Sequence, residues 1–139
     1  MSTNKQTLII PPLLRFLMEL TAWFWFLILA FTVNILYIGA FFLSVGLLAT
    51  FNFPGDKRKD GPINIPGWLR ILNEWFSGGI LSIIGAWLLF GELGVLIQLI
   101  LILCVIYFDR KRYYWMLGYK DSAPIYVTAL RDLSFGKNI

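Results

Sequence analysis

Histidine is missing from this chain, and cysteine occurs once. The first absence removes together the commonest general base and the commonest metal ligand. The lone Cys104, inside Leu101-Ile102-Leu103-Cys104-Val105-Ile106, can form no disulfide within the chain and reads as a small buried hydrophobe. Charge is also scarce: 14% of the residues are Asp, Glu, Lys or Arg, against about 25% in an average soluble domain. No phosphate loop or nucleophile elbow is spelled anywhere. Ser44, Ser77 and Ser82 lie in apolar runs without a base at useful spacing, so they read as packing hydroxyls. These absences argue against an enzyme, and no cofactor is expected.

What is present is apolar and arranged in blocks. Hydrophobic residues make up 58% of the 139 positions, and the mean hydropathy is +0.72. Residues 13–53 carry no charge except Arg15 and Glu19, and residues 75–108 carry only Glu92. A hydrocarbon core of about 30 Å takes roughly 20 apolar residues per helix, so each block has room for two spans. The expected fold is an all-α membrane protein with four transmembrane helices, arranged as two tandem hairpins. The first helix should open at Pro11 or Pro12, where a missing N–H costs nothing, and run to about residue 31. Few basic residues precede it and no small-x-small site follows, so it is expected to be retained rather than removed as a signal peptide. Residues 31–34 form a short polar break, and a second helix should end near residue 53. Residues 52–66 hold three prolines, two glycines and five charges, the composition of a solvated loop. A third helix is expected over 67–90, a tight turn at Gly91-Glu92-Leu93-Gly94, and a fourth helix to 113–115. The four-helix domain would cover 1–118. A short cytoplasmic tail would cover 119–139, with one short helix near 126–133 and a mobile end.

The distribution of basic residues orients this frame. Lys5 and Arg15 precede or open helix 1. Lys57, Arg58, Lys59 and Arg70 lie between helices 2 and 3 or open helix 3, and Arg110, Lys111, Arg112, Lys120, Arg131 and Lys137 follow helix 4. The two intervening breaks contain none. With four spans all twelve fall on one side, which the positive-inside rule assigns to the cytoplasm. The expected location is therefore the plasma (inner) membrane, multi-pass, with both termini cytoplasmic. Lys57, Arg58, Lys59, Arg110, Lys111, Arg112 and Trp115 would face the interface and its anionic headgroups. Nucleic acid is not an expected partner, because a basic rim on such a chain serves topology and lipid contact. Trp68, Tyr113, Tyr114 and Trp115 suit an interfacial belt.

Two stretches 55 positions apart are nearly the same: Pro11-Pro12-Leu13-Leu14-Arg15-Phe16-Leu17-Met18-Glu19 and Pro66-Gly67-Trp68-Leu69-Arg70-Ile71-Leu72-Asn73-Glu74. They suggest a parallel internal repeat whose axis lies along the membrane normal. Each half places an Arg and a Glu one helical turn apart near the membrane surface, where ionised groups are paired or functional. Arg15, Glu19, Arg70 and Glu74 are thus the candidate site. Arginine can snorkel to the headgroups, whereas the shorter glutamates need a partner, water or a proton. Crossed pairs, Arg15 with Glu74 and Arg70 with Glu19, are the expected arrangement. Trp23 and Phe24 align with Gly78 and Gly79 in the repeat, which suggests that helix 1 packs closely against helix 3. Asp109 and Arg110 read as an interfacial ion pair.

Leu14-Arg15-Phe16-Leu17-Met18-Glu19, Pro54-Gly55-Asp56, the stretch from Ile65 to Glu74 and Tyr107-Phe108-Asp109-Arg110 together resemble the YrdB-like family of small bacterial membrane proteins. The resemblance covers about residues 11–117. It implies a four-helix membrane domain and brings no established activity. Two functional classes follow from the residues. One is a non-catalytic accessory, assembly or lipid-interacting protein, alone, as a homo-oligomer or beside a membrane protein partner. The other is a small proton- or ion-coupled transporter acting as an oligomer, with Glu19 as carrier.

Overall fold

The computed structural model describes residues 5–53 and 62–119. Helix α1 spans Lys5–Thr32. Asn34 then caps a single 3-10 turn, Ile35–Tyr37, its side-chain carbonyl accepting from the Leu36 N–H at 2.9 Å. Helix α2 is Ile38–Thr50, and α3 is Gly67–Glu74. A wide π turn over Trp75–Ile80 passes without a break into α4, Leu81–Met116. Strands β1 (Phe51–Asn52) and β2 (Ile63–Asn64) pair in parallel, joining the chain just after α2 to the chain just before α3. That pairing is invisible in a segment whose prolines and charges signal only a solvated loop. Residues 54–61, with Lys57, Arg58 and Lys59, lie outside the described residues, as does the tail with its expected helix near 126–133.

The start of α1 departs from expectation. Pro11 and Pro12 lie inside the helix rather than at its first turn. Each lacks the N–H that would bond the carbonyl four residues back, and its ring crowds that carbonyl, although its fixed φ near −65° is itself helical. Pro66, by contrast, is the N-cap of α3. The two copies of the sequence repeat therefore sit in different local structure.

Helix α4 does not run straight. Gly91 has φ +64° and ψ −146°, a conformation glycine alone adopts readily. The chain reverses there and brings Gly94 back onto the preceding arm: an ideal Cβ on Gly94 would fall 2.5 Å from the carbonyl oxygen of Ala86 and 2.7 Å from Phe90 Cβ. The residues beyond Gly91 return alongside α3, bringing Met116 against Gly67. A straight helix would hold those two residues ~70 Å apart. The expected tight turn at 91–94 is thus a helical hairpin whose arms meet so closely that Gly94 has no room for a side chain.

Helix α1 packs against both arms of this hairpin. Met18, Ile102 and Val105 form one buried cluster; Phe26, Leu29 and Leu81 form another. The close approach expected between α1 and the segment after α3 is present, with a different partner. Gly78 faces Met18 and Glu19, and Gly85 abuts Trp25, whose Cβ lies 2.6 Å from the ideal Cβ position. Trp25 also meets Phe90 edge to face at 5.2 Å.

Two helices are long and apolar enough to cross a membrane, Ile10–Thr32 and Gly67–Met116, the latter including the reversal; Ile35–Thr50 is apolar but shorter. The outward faces carry Phe24, Phe42, Leu88, Leu96, Ile97 and Leu103, all exposed, whereas Arg70, Glu74, Asp109, Arg112 and Gln98 are buried. This is the reverse of the usual distribution in water.

The glycines give a direct test of packing. Gly94→Ala puts a methyl group against backbone and is expected to cost about 1–3 kcal/mol. Gly39→Ala, at an open position on α2, is expected to be neutral or stabilising by several tenths of a kcal/mol. Thermal unfolding of both variants in the same detergent, followed by circular dichroism, checks the difference.

Candidate functional site

The inward face of the second α4 arm is a stripe of Gly94, Gln98, Ile102, Val105, Asp109, Arg112 and Met116, all buried. Steps of four and three residues keep them on one side of a helix. The stripe begins with glycine and glutamine and carries a carboxylate and a guanidinium just before its last member, Met116. It meets Glu74 at the end of α3 and Arg15 on α1.

Five side chains interlock there. Arg112 grips Glu74 in a fork, Nη2 donating to Oε2 at 2.9 Å and Nη1 to Oε1 at 3.2 Å. The Tyr113 hydroxyl donates to Glu74 Oε1 at 3.0 Å. Arg112 Nη1 also reaches Asp109 Oδ2 at 3.2 Å, and Arg15 Nη1 reaches the same oxygen at 3.2 Å. The side chains of Glu74, Asp109 and Arg112 are fully buried, while 17% of Arg15 remains exposed. Trp75 packs on the Tyr113 ring at 5.8 Å and shields one flank. A bidentate Arg–carboxylate fork is the strongest of the side-chain ion pairs, and its planar match fixes orientation as well as distance.

Of the four charges singled out in the sequence, Arg15 and Glu74 join this one network, linked through Asp109 and Arg112. Arg70 is buried one turn before Glu74. Glu19 is half-buried, its Cγ packed against Gly78. Arg15, Arg70 and Arg112 against Glu19, Glu74 and Asp109 make three positive and three negative charges in this region, with the exposed Arg110 and Lys111 outside that balance. Arg15 and Glu19 are the more accessible copy, and Arg70 and Glu74 the buried one.

Two expectations are overturned. Arg112 does not face the interface: it is buried because the spacing of three from Asp109 and the stripe above turn it inward. Asp109 likewise points inward to Arg15 and Arg112. Its neighbour Arg110 is exposed, donating to the Tyr107 carbonyl at 2.6 Å and covering the Tyr107 ring at 4.5 Å. Lys111 is exposed. Trp115 is half-buried, edge-on to Phe53 at 5.1 Å. Asp109, Arg112 and Tyr113 are the members that sequence reasoning missed. The signal for the first two was the three–four spacing that joins them to Gly94 and Gln98.

A second polar layer lies deeper. Trp25 Nε1 donates to Gln98 Oε1 at 3.3 Å, Gln98 Nε2 donates to Thr21 Oγ1 at 3.0 Å, and Thr21 Oγ1 donates to the Met18 carbonyl at 2.7 Å. Around the π turn, Ser44 and Ser82 donate to the carbonyls of Ser77 and Gly79, and Asn73 Nδ2 donates to the Leu47 carbonyl. Ser44 and Asn73 thereby tie α2 to α3 and the turn, whereas the Ser82 bond stays local, three residues back. Cys104 is a free, half-buried thiol. Among the described residues no group of three or more His, Cys, Asp or Glu could hold a metal ion.

No family model, no curated protein and no solved structure matches this chain. The YrdB-like resemblance rests on its sequence motifs alone.

Removing Arg112 leaves the Glu74 carboxylate buried beside Asp109, so Arg112→Met is expected to destabilise by about 3–5 kcal/mol. Removing both charges in Arg112→Met with Glu74→Met leaves Asp109 to Arg15 and should recover at least half of that loss. A double-mutant cycle of denaturant midpoints measures the coupling; a double variant no more stable than Arg112→Met would deny the pair its role.

Proposed function

We propose that this chain is a non-catalytic multi-pass protein of the plasma membrane, an accessory or scaffold subunit whose charged cluster staples its helices together at the cytoplasmic side. The observation that carries this reading is the fork between Arg112 and Glu74, capped by Tyr113, with all four atoms engaged inside the protein. A proton carrier needs an acid that changes partners during its cycle. Glu74 is held by two residues in a geometry that fixes its position.

The membrane frame is supported by two helices of spanning length and by the apolar outward faces. Four crossings follow if the reversals near Asn34 and at Gly91 lie on one side and the β1–β2 connection on the other. The short α2 would then be met by tilting or local thinning. In that frame the exposed Arg110 and Lys111 meet anionic headgroups. The transporter reading keeps one point of support, the half-buried Glu19 on the more accessible copy of the repeat.

Single cysteines placed at Asn34, Glu92 and Lys111 in a Cys104→Ser background decide the topology. The first two should react with an impermeant maleimide from outside intact cells, and the third only after permeabilisation. Equal labelling of all three in intact cells would reject the four-span frame. Glu19→Gln is expected to leave any proton-coupled flux unchanged in reconstituted vesicles; its abolition, with expression intact, would favour transport.

A further inference from the structure

The hairpin at Gly91 leaves a groove between its arms. It has a volume of about 300 Å³ and is lined by Ile83, Ile84 and Trp87 on one arm and by Glu92 and Val95 on the other. Three aliphatic side chains and one indole make its walls apolar, and its only charge is a single carboxylate. Among the described residues Glu92 has no ion-pair partner. The nearest basic residue in the sequence beyond it is Arg110, eighteen positions along the returning arm, ~27 Å away at helical rise. The carboxylate therefore stands at the opposite end of the hairpin from the balanced Arg–carboxylate cluster. Among the described residues, none nearby answers its charge.

Apolar walls, an exposed indole and one unanswered negative charge specify the complementary ligand. An ammonium group is attracted both to a carboxylate and to the face of a tryptophan, and an alkyl body matches the isoleucines and valine. A phosphate-bearing headgroup fits poorly, because no cation in the groove would receive it. We propose that this groove binds a lipophilic cation: an amphiphile with one protonated amine or quaternary ammonium head at Glu92 and Trp87, and an alkyl chain along Ile83, Ile84 and Val95. The site is separate from the charged cluster. It relies on the membrane reading only for the route by which such a ligand arrives.

The test uses the full chain in lipid nanodiscs and a dodecylammonium ion carrying a diazirine at mid-chain, with photoadducts mapped by mass spectrometry. Adducts should concentrate in residues 83–95. Dodecyltrimethylammonium should compete for them and dodecanol should not. Glu92→Gln and Trp87→Leu should each weaken labelling there about tenfold. Both side chains are exposed, so neither substitution disturbs the packed interior. Adducts spread evenly over outward residues such as Leu96 and Ile100, unchanged in Glu92→Gln, would overturn the site. Competition by dodecanol equal to that by the cation would also overturn it. Failure of this labelling alongside the expected maleimide topology would remove the groove site and leave the membrane reading standing.

Discussion

Burying an ion costs several kcal/mol unless its partner and its remaining hydrogen bonds are supplied in place. Glu74, Asp109 and Arg112 all meet that demand at one point, where α3, α1 and the returning arm of α4 converge. The fork between Arg112 and Glu74 spans 38 positions of sequence, and it can form only if the chain reverses between them. The conformation at Gly91, the bare approach of Gly94 to Ala86 and the contact of Gly67 with Met116 all serve that closure. With Arg15 held by the same aspartate, α1 is fastened to the hairpin at the same end. Further along, Gln98 binds Trp25 and Thr21, so the interface between α1 and the returning arm is polar at two depths and apolar between them.

Such an interior suits a molecule whose surroundings are as apolar as its own side chains. In hydrocarbon, leucine on the outside gains nothing by moving inward, and association depends on close backbone contact and on hydrogen bonds. Gly78 against Met18 and Gly85 against Trp25 provide the first; the serine, asparagine and glutamine bonds provide the second. The division of labour between the two ends of the hairpin follows from the same logic. One end pairs its buried charges internally, and the other leaves a carboxylate facing outward in an apolar groove.

The all-helical course of the chain and its long apolar helices were legible in the sequence. Apolar blocks gave the helices, and Gly91-Glu92-Leu93-Gly94 gave the reversal, because glycine punctuation in an apolar run has few other readings. The loop ends paired as strands were not legible, since two residues of β structure leave no periodic trace. Nor was the interior course of α1 through Pro11 and Pro12, where a rule about helix starts competes with the reach of neighbouring turns. The candidate site was half legible. The repeat pointed to Arg15 and Glu74, but Asp109 and Arg112, which join them, lie outside it. Asp109 and Arg112 sit among Arg110 and Lys111, and a run of charges at a helix end reads as interface. Only the phase of the helix separates the buried pair from the exposed one, and phase emerges from the whole stripe rather than from the local run.

Phase also gives the π turn at Trp75–Ile80 its significance. Arg70, Glu74, Gly78, Ser82 and Ala86 recur at every fourth position, and all five are buried. An ordinary α-helix advances roughly 40° past a full turn in four residues, so that series would have wound about 160° around the helix by Ala86. A π turn takes up one residue, roughly 100° of rotation, and so brings the series back towards one side. The widened turn acts as a phase corrector between a charged face and a glycine-and-serine face. Deleting a single residue there would leave both faces intact as sequences while aiming one of them at the surroundings.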